Sequence, residues 1–255
     1  MNYKHTRVIF NLLPRNRKKI CVSIPIVDDQ TKDKNKELEL PLCNIEKAIQ
    51  KGAEMIECRF DFVKDYSRID DYLQVLSKYK DQSVYTLRPE NEGGQFSNDH
   101  SQRIILLKKL IDAKPLFVDI EYDLISKNDV LADIVENSDT RILVSWHDFA
   151  STPHQDELIN LVNKMRVFSP YLKIVTTAKN INDSLKILNL YQCVDTHVNL
   201  VAFAMGEAGA ISRILCTVTG DAPFTYAALG NAIAPGQMSI DQMKMFEKLF
   251  ECKLI

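Results

Sequence analysis

Residues 141–178 read RILVSWHDFASTPHQDELINLVNKMRVFSPYLKIVTTA. Two apolar runs, RILVSWHDF and YLKIVTTA, flank a segment, PHQDELINLVNKMRVF, with apolar residues at helical spacing. Short β-branched and aromatic runs around such a segment spell strand, helix, strand. A crossover helix makes the two strands parallel. Parity along each run then sorts the side chains. Ile142, Val144 and Trp146 share one face and Ser145 and His147 the other, while Leu172 and Ile174 oppose Lys173 and Val175.

The unit repeats along the chain. From about residue 19 the strand candidates are KICVSIPI, EMIECRFDFV, SVYTLRP, LFVDIEYDL, RILVSWHDF, YLKIVTTA, HVNLVAFAM and PFTYAALG. Between them lie amphipathic segments such as RIDDYLQVLSKY, SNDHSQRIILLKKLID and INDSLKILNLY. Regular alternation of this kind predicts an α/β fold, a (β/α)8 TIM barrel formed as a single domain over residues 1–255. An open doubly wound sheet is the alternative, weakened because no G-x-G-x-x-G follows any strand. Residues 1–18 stand outside the repeat and are expected to form a short β-hairpin extension capping the bottom of the barrel. DDQTKDKNKELEL, residues 28–40, is charged and reads as a surface loop or helix start.

Inward and outward faces separate on the other strands too. In a barrel the outer strand face lies beneath helices, so the apolar set belongs there. Ile56, Cys58, Phe60 and Phe62 face outward, which sends Glu57 and Arg59 toward the axis, with Asp61 on the same side. Likewise Thr86 and Arg88 oppose Tyr85 and Leu87, and Asp119 and Glu121 oppose Val118 and Ile120. A barrel interior is normally filled with branched apolar side chains. Charges there need partners, which are each other or a polar ligand. Glu57 with Arg59 alone could be a structural ion pair; polar groups on so many strands point to a small, polar, anionic ligand, with Arg59, Arg88 and Arg213 as candidate anchors.

The bulk composition narrows the partners. A net charge of -2 and a pI near 6.2 give no reason to expect nucleic acid. No stretch approaches the ~18 apolar residues of a membrane span, and MNYKHTRVIF lacks a signal-peptide core. Cys21, Cys43, Cys58, Cys193, Cys216 and Cys252 form no C-x-x-C pair, which fits reduced thiols in a cytoplasmic protein.

Lys173 is the residue with the most chemistry in it. A lysine in a strand more often snorkels to solvent than reacts. Placed inside a barrel beside His147, however, a neutral amine is a nucleophile that forms a Schiff base with a ketone, and an imidazole is a base that titrates near neutrality.

The segments KICVSIP, EMIECRFDF, TLRPENEGGQF, VDIEYDL, SWHDFASTP, KIVTTAKNINDS, MGEAGAISRI and APGQMS, in that order, resemble type I 3-dehydroquinate dehydratase over nearly the whole chain. The resemblance implies a lyase of the shikimate pathway, and so of chorismate and aromatic amino-acid biosynthesis. Such an enzyme dehydrates 3-dehydroquinate to 3-dehydroshikimate with no metal or organic cofactor. It implies Lys173 as the Schiff-base lysine, His147 as general base and acid, and Glu92 as its support. Ser23, Glu57, Arg59, Arg88, Arg213 and Gln237 would bind substrate, and Phe149, Phe203 and Met205 would wall the pocket. A small-molecule substrate, a homodimer and a mobile lid at IAPGQMS are further implications. Two positions depart from the family pattern. Ile233 stands where a serine is common, and Gly220-Asp221 where Gly-Ser is.

Two other functions fit parts of the pattern. A class I aldolase would share Lys173 but calls for a phosphate-cradling glycine loop near the last two strands, where Gly220 and Gly230 are isolated. A catalytically dead barrel scaffold is disfavoured by the presence of both Lys173 and His147. His5, His100, His154 and His197 match no catalytic position, and His197 is read as a core or rim histidine.

Overall fold

The structure, a computed structural model, describes residues 19–27, 34–97, 99–218 and 220–251. The hairpin expected over residues 1–18 lies outside the described residues, as do 28–33 of the charged segment. The strands are β1 (Lys19–Pro25), β2 (Met55–Arg59), β3 (Ser83–Thr86), β4 (Phe117–Glu121), β5 (Ile142–His147), β6 (Tyr171–Thr177), β7 (Asn199–Met205) and β8 (Phe224–Ala228). The helices are α1 (Lys34–Gln50), α2 (Ile69–Leu76), α3 (His100–Asp112), α4 (Tyr122–Ile125), α5 (Asp129–Glu136), α6 (Gln155–Met165), α7 (Ile181–Cys193), α8 (Ala210–Val218) and α9 (Ile240–Glu251). All the recorded strand ladders are parallel, and the order is β7-β6-β5-β4-β3-β2-β1-β8. The pairing of β1 with β8 brings the first and last described strands together, which an open sheet of the alternative type does not do. The result is a nearly closed barrel with its seam between β7 and β8, where Phe203 and Tyr226 pack at 6.1 Å between ring centroids.

Local chemistry explains the helix starts. Asp99 caps α3 by accepting from the Ser101 and Gln102 amides, both at 3.1 Å. Asn128 does the same for α5 through the Leu131 amide at 2.8 Å, and Asn180 for α7 through the Asn182 amide at 2.9 Å. Such caps satisfy amides that have no partner inside the helix. β2 is shorter than the apolar run suggested. After Arg59 the chain turns into a 3-10 helix, Phe60–Phe62, because Asp61 folds back to hold the Arg59 guanidinium.

Two apolar layers hold the barrel. Outward strand residues such as Ile56, Val118, Val144 and Ile174 are wholly buried against helix residues such as Ile45, Leu107, Leu158 and Ile187. Each such side chain contributes about 1.5–3 kcal/mol by leaving water. Inside, Cys21, Met55, Val84, Phe117, Leu143, Val201 and Phe224 form the second cluster. Other interior positions, toward the C-terminal ends of the strands, carry buried Glu57, Arg59, Thr86, Arg88, Asp119, Glu121, Ser145 and Lys173. That end of a barrel is where βα loops build sites. The parity derived from the sequence therefore describes the interior up to Arg59, where β2 ends; Phe62, expected outward beneath the helices, is half-buried and lies 5.2 Å from the Arg59 guanidinium.

Candidate active site

Register places the central lysine. Ser145 of β5 stands beside Lys173 of β6, and His147 beside Val175, so lysine and histidine rise from neighbouring strands. Lys173 is 4% exposed, and its Nζ donates to Asp119 Oδ2 at 2.8 Å. Glu57 Oε1 lies 3.7 Å away, and the Nζ sits 4.6 Å from the centre of the Tyr226 ring. Glu57 is itself fixed by Ser23 Oγ at 2.6 Å and Thr86 Oγ1 at 3.0 Å. Burial disfavours both carboxylates as anions, but nearby cations outweigh it. Lys173 and Arg59 hold Glu57 below the ordinary carboxylate range, and Arg88 and Lys173 hold Asp119 well below it.

His147 is bound from the side. Its Nδ1 lies 2.7 Å from Glu92 Oε2. Burial, with the charges of Arg88 and Lys173, pushes the imidazole well below its usual value. Burial pushes Glu92 up to about 8, Arg88 offsetting part of the effect. The pair thus shares a proton reluctantly given up, and once it is gone Nε2 is a free base. The Glu-Gly-Gly turn fits this geometry tightly. Gly93 has φ 73°, and a Cβ there would meet Phe149 Cζ at 2.5 Å; at Gly94 it would meet the Arg88 carbonyl oxygen at 2.0 Å. Phe149 in turn lies along His147, with centroids 6.3 Å apart and planes 24° apart.

The three candidate anchors differ. Arg59 grips Asp61 with two bonds of 2.7 Å. Arg88 donates to Asp119 at 2.6 Å, Glu121 at 2.7 Å, Ser145 at 2.9 Å and Glu92 at 3.4 Å. Burial opposes its charge, yet these carboxylates raise it above the ordinary arginine value. Arg213 has no carboxylate partner among the described residues. Its Nη2 donates to the Pro235 carbonyl at 3.2 Å, its Nε is buried without a partner, and its guanidinium stacks 4.4 Å from the Phe203 ring centre. Burial accordingly lowers it to about 10. The loop after β8 meets this group through the Pro235 carbonyl. Gly236, at φ 70°, packs on Gly206, whose amide reaches Pro235 O at 3.4 Å. Gln237 Oε1 accepts from the Ile233 and Ala234 amides at 2.9 and 3.3 Å, leaving its amide nitrogen as what it can offer a ligand.

Every residue expected at the site lines one cavity of about 270 Å³. Ser23, Glu57, Arg59, Arg88, Glu92 and His147 meet there with Phe149, Lys173, Phe203, Met205, Arg213 and Gln237. Ile233, the departure from the family pattern, also lines it, whereas Asp221 is exposed at φ 58° and does not. His197 is exposed in the turn before β7, not a core residue. Tyr226 was missed: its alternation with Thr225 and Ala227 in PFTYAALG was the available signal. Asp119 was sorted inward but given no role, because its partner is 54 residues away.

A family model described as type I 3-dehydroquinase matches residues 24–251. The chain is 34% identical over 206 residues to a 3-dehydroquinate dehydratase of Pyrococcus abyssi, spanning 80% of this chain and 91% of that one. It is 35% identical over 234 residues to the one from Methanococcus maripaludis strain C7, spanning 89% and 99%. Among solved structures, the type I 3-dehydroquinate dehydratase of Clostridium difficile superposes with a TM-score of 0.78 at 22% identity, covering 94% of each chain, and so shares the fold. With the matched family model spanning the barrel from β1 to α9, the chain belongs to the type I 3-dehydroquinase family.

Proposed function

We propose that this chain dehydrates 3-dehydroquinate to 3-dehydroshikimate in the shikimate pathway, through an imine on Lys173. The observation that carries the chemistry is the meeting of a buried lysine amine and a Glu92-backed imidazole at one cavity. In this reading Arg213 receives the substrate carboxylate, because it is the anchor whose charge no protein carboxylate balances. The ketone then lies near Lys173. Lys173 passes its ammonium proton to a water, its amine adds to the carbonyl carbon, and that proton leaves with the carbonyl oxygen as water, giving a protonated imine. His147 Nε2 takes a proton from the carbon next to the imine carbon, and the electron pair flows into the imine nitrogen. The hydroxyl one carbon further on leaves as water, carrying the proton that His147 returns. Water then cleaves the product imine. Before it reacts, the Lys173 nitrogen is held by Asp119, Glu57 and the Tyr226 ring. A positioned acid–base group contributes roughly 10²–10⁴-fold.

No metal or organic cofactor enters this scheme, because the imine is the electron sink. We further propose one barrel domain over residues 1–255, acting as a homodimer in the cytoplasm. No described helix is long and apolar enough to cross a membrane. The test is an ultraviolet assay for the enone product with 3-dehydroquinate, paired with borohydride trapping. Product formation, with the trapped mass mapped to Lys173, is expected. No absorbance gain overturns the activity, and label on another lysine, such as Lys179, overturns the nucleophile.

A further inference from the structure

Arg103 sits on α3, outside the barrel wall, yet is only 5% exposed. A helix residue in that layer is normally apolar. Instead its Nη2 donates to Glu121 Oε2 and, at 3.1 Å, to the Leu87 carbonyl, while its Nε is buried without a partner. An apolar side chain of similar volume often serves stability as well as a buried ion pair does, so packing alone gives no reason for this arginine. Its bonds lead inward. Glu121, at the end of β4, takes Arg103 on one oxygen and Arg88 on the other, at 2.7 Å. That Arg88 nitrogen also reaches Glu92 Oε2 at 3.4 Å, the oxygen that lies 2.7 Å from His147 Nδ1.

We propose that Arg103 is a positioning residue for the reaction: by holding one oxygen of Glu121, it keeps Arg88 shared between Glu121 and Glu92 and so sets how the Glu92–His147 pair holds its proton. The role assigned to that pair rests on the function proposed above.

The electrostatics have a definite sign. Glu92 is faced by Arg88 from β3, by Asp119 and Glu121 from β4, and by Asp123 from α4; His147 is faced by Arg88, Asp119, Arg59 from β2 and Lys173 from β6. The Glu121 charge favours the protonated form of Glu92. Arg103 offsets that charge. Without Arg103, Glu121 acts undiminished on Glu92 and also draws Arg88 toward itself, and both effects make the pair hold its proton more tightly. Without the Glu121 charge, Arg88 turns wholly toward Glu92 and Asp119, and the pair releases its proton sooner.

The measurement is the titration of His147 by nitrogen-15 NMR in the unliganded protein, which needs no substrate and so stands apart from the assay of function. Arg103→Met should move the titration of the pair up by about one pH unit, and Glu121→Gln should move it down by about as much. The double variant should return close to the parent. Arg103→Lys keeps the charge and should stay near the parent. Should Arg103→Met fail to fold, Glu121→Gln and the double variant decide. The acid limb of kcat/KM should shift with the NMR titration. Shifts of the same direction in both single variants, no shift at all, or a double variant that does not return would overturn the assignment.

Discussion

Arg213 shows how much one missing partner can mean. Arg59 and Arg88 are buried with carboxylates against them, whereas among the described residues Arg213 is buried with only a backbone carbonyl and an aromatic face. A charge in that state is poised for an anion, since the ligand supplies what the protein withholds. Its planar fork also matters, because lysine presents a point charge and cannot donate two parallel bonds. Arg213→Lys is therefore expected to weaken substrate binding by roughly 1.5–3 kcal/mol, the range for hydrogen bonds to charged groups. Calorimetric titration with substrate on a Lys173→Ala background, where turnover is blocked, checks it. An unchanged constant assigns Arg213 to fastening Pro235. The difference among the three arginines is invisible in sequence. All three read as candidate anchors, and only folded geometry shows that Asp61 answers Arg59 and that Glu121, from β4, answers Arg88.

At the scale of elements, the strands were legible and the turns were not. Period-two alternation sorts Glu57 from Ile56 and Lys173 from Ile174 without any tertiary information, because a strand has only two faces. The 3-10 turn after β2 depends on a side chain folding back, and the α4–α5 pair between β4 and β5 lacks a long periodic run, so neither was read. Arg103 was hidden for the opposite reason, since an arginine on an amphipathic helix reads as solvent-facing. The Glu-Gly-Gly turn offers the test at this scale, because its two glycines meet different neighbours. A Cβ at Gly93 would strike the Phe149 ring, the end of a side chain 45% exposed, while one at Gly94 would strike the Arg88 backbone, which cannot move alone. Gly94→Ala is expected to destabilise by roughly 2–4 kcal/mol. Gly93→Ala should cost about 1 kcal/mol for its left-handed conformation yet lower kcat sharply, because displaced Phe149 no longer lies along His147. Melting curves beside turnover rates separate the two. Equal losses of stability would show that Phe149 is held as firmly as backbone.

For the molecule as a whole, the buried charges oppose one another in how stability depends on pH. Asp119 and Glu57 have folded values below their unfolded ones, so the stability they lend is present above about pH 4 and lost on further acidification. His147 is held well below its ordinary value, so the unfolded chain gains a proton below about pH 6.5 that the folded site refuses, and acid destabilises there too. Glu92 runs the other way. Its folded value, about 8, lies above the unfolded one, so the native state keeps a proton that the unfolded chain has already lost. Stability then falls as pH rises through that window. Between about pH 6.5 and 8 the Glu92 contribution is the one of these four that still changes, and the unliganded protein should lose roughly 1–2 kcal/mol. At about 2–4 °C per kcal/mol for a chain of this size class, that is a fall of several degrees in Tm. Glu92→Gln should abolish the fall and melt higher than the parent at pH 8, while losing turnover. Over the same interval the parent's kcat/KM should rise, since the proton whose loss weakens the fold is the one that must leave before His147 can act as a base. Melting curves of both proteins across that range decide the matter. A parent whose Tm is flat, or a variant that falls in parallel with it, would remove Glu92 as the group in which the barrel gives up stability for reactivity.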